Sequence, residues 1–164
     1  PDPLLLNFAQ GLVDALPVGD ATRIDAWKSR VATYPEQLQA AVIERTAQID
    51  HFWRWRMFVD RSNPMLLASA CGDIADRLYR KVLALNKRYG PGLKSPGALD
   101  QRFEIAPVDF PARLRGSFAV PPAEQAAALA ELAAEIYDLI ERHVPAVDVV
   151  RLRRIFEYAR APAA

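Results

Sequence analysis

Asn86, Lys87, Arg88, Tyr89 and Lys94 place amide, cationic and phenolic groups within one short stretch. An amide and a phenol orient a ligand through hydrogen bonds. A guanidinium or ammonium holds a phosphate or carboxylate. The run from Leu83 to Lys94 starts on an apolar-periodic helix and meets Gly90-Pro91-Gly92, with Gly90 as the stop signal. A helix C-terminus carries partial negative charge, so Lys87 and Arg88 are also stabilised there without any ligand. The pattern predicts a rigid turn that presents these five residues to a ligand or a neighbouring domain. Tyr89 has a second reading as core, because it continues the Ile74, Leu78, Val82, Leu85 seam.

Other chemistries lack their residues. No Gly-rich segment ends in Gly-Lys-Ser/Thr, so there is no Walker-type phosphate loop. Two-metal phosphoryl or nucleotidyl transfer needs carboxylates close together, usually Asp-x-Asp after a Gly-Ser turn. The one Gly-Ser is Gly116-Ser117, and no Asp has an acidic residue two positions on. Cys71 is the single cysteine, which excludes an intrachain disulfide and a cysteine zinc cluster. Its apolar surroundings predict a small buried filler. No catalytic residue and no metal ligand is therefore assigned.

Arg45 and His51 fall on one predicted helix. An Arg followed by a His at this distance resembles the ribonuclease motif of the HEPN superfamily, where Arg would stabilise a phosphorane and His would move a proton. Helix geometry leaves the two side chains about 120° apart. The competing reading is a solvated Arg45 and a His51 bordering the aromatic cluster Phe52, Trp53, Trp55 and Phe58. Those four rings go most of the way round a helix, so some must meet another helix, a ligand or a partner. The interleaved Arg54, Arg56 and Arg61 could stack or pair with an anion.

Helical periodicity recurs along the chain and strand alternation does not. A first helix over Leu4 to Leu16 ends at Pro17. A second, capped by Asp20 or Thr22, stops near Tyr34. A third starts at Pro35 and runs to about Val59. Ser62 or Asn63 caps the fourth, with Pro64 in its first turn. The stretch from Gly90 to Pro111 is loop with a short helix near Leu99 to Phe103, and another short helix follows Pro111. Pro121 and Pro122 open a long helix through Leu129, Leu132, Ile136 and Ile140, flanked by an Asp138–Arg142 pair. Asp148 caps the last helix, which buries Leu152, Ile155 and Phe156. The fold class is all-α: a helical bundle of two or three long helices with short capping helices, in a single domain over residues 1–164. Residues 1–19 could be a connector from a preceding domain.

The 164 residues carry a formal net charge of +1, too balanced for nucleic-acid binding through phosphate neutralisation. Arg151, Arg153 and Arg154 form the best basic patch, read more simply as solvated charge. No apolar run approaches the ~18 residues of a membrane span, and no signal peptide is evident. A cytoplasmic location is the expectation.

Val82-Leu-Ala-Leu-Asn-Lys-Arg-Tyr-Gly-Pro-Gly-Leu-Lys94 resembles a segment in the helical C-terminal, substrate-binding region of bacterial nucleotidyltransferase-like proteins, relatives of the aminoglycoside and lincosamide nucleotidyltransferases. Tyr34-Pro35-Glu36-Gln37-Leu38, Ile105 to Phe110 and Ile140 to Pro145 match in the same order. The chain departs from the pattern at Gly90, where the family has Phe, and at Ser95, where it has Trp. The resemblance implies a helical domain that binds an acceptor substrate and mediates dimerisation, with no catalysis of its own. Mg²⁺ and a nucleotide triphosphate would belong to an N-terminal nucleotidyltransferase domain, in cis or in trans. It also implies Asn86, Lys87, Arg88, Tyr89 and Lys94 as the substrate-binding set. A structural interaction module, homodimeric through the aromatic helix, is the alternative.

Overall fold

The computed structural model describes residues 3–18, 21–46, 57, 60, 61, 63–94 and 97–157. Among them are seven α-helices and no strand. They are α1 (Pro3–Asp14), α2 (Thr22–Val31), α3 (Glu36–Arg45), α4 (Pro64–Leu85), α5 (Phe110–Gly116), α6 (Pro122–His143) and α7 (Val149–Glu157). Two 3₁₀ turns, Gly92–Lys94 and Ala98–Asp100, lie between α4 and α5. The fold is all-α, as the periodicity predicts.

The two longest helices, α4 and α6, form the central pair. Ile74, Leu78 and Val82 of α4 and Leu129, Leu132, Ile136 and Ile140 of α6 are essentially inaccessible to solvent. Each such side chain stabilises the fold by about 1.5–3 kcal/mol through burial. Against this pair α3 packs on α4, while α5 and α7 pack on α6. Local chemistry sets the helix starts. Asn63 Oδ1 accepts from Leu66 N at 3.1 Å with Pro64 in the first turn of α4, and Asp148 Oδ1 accepts from Arg151 N at 2.9 Å ahead of α7.

The α1–α2 hairpin is different. No α2 residue is buried, and among the described α1 side chains Leu6 joins the core. Phe8, Leu16, Val18 and Trp27 are exposed.

Several boundaries depart from the sequence expectations. α2 starts after Ala21, which has no capping side chain, so Thr22 does not cap it. α3 stops at Arg45, well before Val59. Thr46 takes the C-cap position, where its hydroxyl donates to Val42 O at 2.7 Å. α4 stops at Leu85 rather than near Tyr89. α5 begins at Phe110, one residue before Pro111, and Phe118 lies beyond its end, half exposed. Asp138 and Arg142 do not form a side-chain pair. Arg142 Nε donates to the Asp138 carbonyl, and the Asp138 carboxylate instead takes Arg153 from α7. Ile155 is only partly buried, whereas Leu152 and Phe156 are in the core. Cys71 is fully buried, and burial pushes its thiol up to about 11, so it is an inert filler. His51, Phe52, Trp53, Arg54, Trp55, Arg56 and Phe58 lie outside the described residues, as do Asp20 and Ser95.

Candidate functional site

The end of α4 is a Schellman turn. Arg88 N donates to Leu83 O at 2.9 Å and Lys87 N to Ala84 O at 3.0 Å. Lys87 occupies the left-handed position with φ of 51°, where glycine is the usual residue. Gly90, the apparent stop, has no positive φ; the helix has already ended.

Asn86 caps this turn and fastens the downstream loop to it. Its Nδ2 donates to Val82 O and to Ile105 O, both at 2.8 Å. Its Oδ1 accepts from Glu104 N at 2.9 Å and Ile105 N at 3.0 Å. The amide thus works on backbone, and Asn86 positions the turn rather than facing a ligand. A second latch holds the exit. Asp76 Oδ2 accepts from Arg80 Nε at 2.6 Å, and Asp76 Oδ1 accepts from Leu93 N at 2.8 Å. Arg80 Nη2 donates to Pro91 O at 2.9 Å. Gly92 has φ of 73°, and a Cβ there would collide with Asp76 Oδ1.

The segment these latches hold, Lys87 to Gly92, forms one wall of a cavity of about 480 Å³, a size suited to a small molecule. Lys87, Arg88, Tyr89 and Gly90 line it from the α4 exit, with Leu83 and Tyr79 behind them. Gln10, Val13 and Asp14 of α1 and Val31 at the end of α2 close the other side, and Tyr34 lies between. The Tyr34 and Tyr89 rings pack with centroids 4.8 Å apart. Burial, with Tyr89 adding to it, pushes the Tyr34 hydroxyl up to about 12; burial also raises Tyr89. Both phenols therefore keep their protons at neutral pH and can donate. Tyr79 is occupied elsewhere: its hydroxyl donates to Ala98 O at 2.9 Å, and its ring meets Phe103 edge-on at 5.7 Å.

Arg88 Nη1 donates to Arg102 O at 2.9 Å, and its Cζ sits 5.6 Å from the centre of the Phe103 ring. Those contacts fix the guanidinium beside the cavity. Lys87 Nζ lies 3.7 Å from Glu36 Oε1, a long and solvent-exposed pair. Lys94 is exposed on the first 3₁₀ turn and does not line the cavity. So the structure gathers Lys87, Arg88 and Tyr89, uses Asn86 as their support, and leaves Lys94 apart. Sequence reading missed Tyr34, Gln10 and Asp14 as lining residues. Nothing local to them signals a site; only the return of α1 and α3 toward the α4 exit does. Asp76 and Arg80 did carry a signal, the four-residue spacing of an ion pair.

Among the described residues no three His, Cys, Asp or Glu side chains gather where a metal ion could sit. No helix among the described residues is long and apolar enough to cross a membrane. No family model matches the chain, and no curated protein or solved structure does either.

Proposed function

We propose that this chain is the helical acceptor-binding domain of a nucleotidyltransferase-like protein, working with a separate catalytic domain in cis or in trans. One observation carries the reading. The cavity of about 480 Å³ is lined by Lys87, Arg88 and Tyr89, three of the residues that the resemblance assigns to substrate. Two latches, through Asn86 and through Asp76 with Arg80, hold that wall in place before any ligand arrives. A preformed wall lowers the ordering cost of binding. In this reading Arg88 and Lys87 supply charge, the tyrosines supply a face and a donor, and the chemistry on the bound acceptor belongs to the partner domain.

Saturation-transfer NMR with a panel of small hydroxyl- and amine-bearing compounds tests it. At least one compound should receive saturation from the wild-type chain and lose it with Tyr89→Ala. A panel that behaves identically with both proteins would sink the reading. The rival, a structural interaction module, draws on the exposed Phe8, Leu16, Val18 and Trp27 of the hairpin. The saturation-transfer experiment separates the two, because only the acceptor-site reading requires a small molecule in the cavity lined by Tyr89.

A further inference from the structure

We propose that the cavity between the α1–α2 hairpin and the α4 exit binds a small organic anion, a carboxylate or phosphate ester carried on an apolar body. The inference rests on the acceptor-site reading above and names the chemistry of its ligand.

Charge sets the sign. Among the described lining residues, Lys87 and Arg88 are the cations and Asp14 is the carboxylate. Glu36, the ion-pair partner of Lys87, has a side chain 87 % exposed, so solvent screens that pair and leaves the ammonium able to turn to a ligand. Arg88 gives one N–H to the Arg102 carbonyl and stacks near Phe103. Its remaining N–H groups keep the fork geometry that suits a carboxylate or phosphate. The α4 carbonyls, which would otherwise repel an anion, are already taken. Leu83 O accepts from Arg88 N, and Ala84 O accepts from Lys87 N and from Gln39 Nε2. The Tyr34 and Tyr89 hydroxyls add neutral donors and bring no negative charge.

The body of the ligand follows from the other side chains. Leu83, Val13, Val31 and the two tyrosine rings form an apolar lining that a bare inorganic ion would leave unused.

The test is an NMR titration of the isotope-labelled full chain, following the Tyr34 and Tyr89 rings and the Arg88 Nε–H. The probes are phenyl phosphate and benzoate, with inorganic phosphate, phenol and benzylamine as comparisons. Phenyl phosphate or benzoate should shift these resonances in a saturable way, and which of the two binds tighter separates phosphate from carboxylate. Lys87→Gln, a half-exposed position that leaves the fold alone, should weaken binding about tenfold, as should Arg88→Gln. Asp14→Asn should tighten it about twofold by removing a like charge, an effect that no merely structural role produces. Phenol or benzylamine binding as well as the anions would overturn the anion assignment while leaving the acceptor site standing. Inorganic phosphate matching phenyl phosphate would overturn the apolar body. No shift with any probe would overturn this inference, and the acceptor-site reading then stands or falls on the saturation-transfer panel.

Discussion

Lys87 closes a Schellman turn in the place where a glycine costs least. Replacing it by glycine removes the Cβ clash of the left-handed conformation. Lys87→Gly should therefore raise stability by about 1 kcal/mol, read as a higher urea midpoint, while weakening ligand binding. A loss of stability would mean that the lysine side chain, rather than the backbone, decides the turn. Tyr137 offers the opposite kind of position. Its hydroxyl is buried with no hydrogen-bond partner, its ring meets Phe156 edge-on at 5.9 Å, and Arg153 lies over it. Burial holds this phenol well above the usual tyrosine range. Only the ring contributes to packing, so Tyr137→Phe should be neutral or stabilising by up to about 1 kcal/mol in the same assay.

At the scale of elements, the exit of α4 and the α1–α2 hairpin contrast in how they are held. The exit loop is tied to α4 through Asp76 and Arg80, and the tie needs Gly92. Gly92→Ala must both adopt φ of 73° and displace Asp76. It should cost about 2–3 kcal/mol of stability and blunt binding in the cavity, measured by urea unfolding and by titration of the probe anion. In the hairpin, the hydrogen bonds of Gln10 to Asp14 and of Ser29 to the Asp25 carbonyl stay within single helices, and no α2 residue is buried. Few buried apolar contacts mean a low local opening free energy. Hydrogen exchange should find α1 and α2 amides opening well before those of α4 and α6, with ligand slowing α1 in particular. Equal protection in all four helices would refute this picture of a loosely seated cavity wall.

For the whole molecule, what could be read from the chain depended on the range of the interaction. The α4 seam Ile74, Leu78, Val82 and Leu85 and the α6 seam through Ile140 are local periodic signals, and both proved to be core. Proline and Asx positions marked the starts of α4, α6 and α7 for the same reason. Helix ends were read worse. Lys87 in a glycine position and Thr46 bonding back to Val42 carry no compositional flag. The cavity was half legible: the Lys87-Arg88-Tyr89 wall is contiguous in sequence, whereas Tyr34 and Asp14 reach it only through tertiary packing. Lys81 was invisible for a related reason. On an α4 face it reads as an ordinary solvated cation, yet it is completely buried, with Thr46 at its ammonium.

That burial ties one residue to the stability of the entire fold. Lys81 Nζ donates to Thr46 Oγ1 at 2.9 Å, and Thr46 Oγ1 in turn donates a hydrogen bond to Val42 O. No carboxylate among the described residues forms an ion pair with it. Desolvation, helped by the nearby charge of Arg77, holds the Lys81 pKa well below its usual 10.5. The unfolded chain binds this proton at any pH below 10.5, while the folded chain resists it until the lowered value is reached. Unfolding therefore takes up a proton across that window, and stability falls as pH drops from about 10.5 toward the folded pKa. Below that pKa both states are protonated and the Lys81 contribution to the slope vanishes. Lys81→Met keeps the apolar stem and removes the charge. The variant should have the higher urea midpoint at pH 7, with the difference from wild type shrinking as pH approaches 10. A methionine variant less stable than wild type at pH 7 would show that the ammonium is held by more than the Thr46 hydroxyl, and the alkaline gain in stability would have to come from other groups.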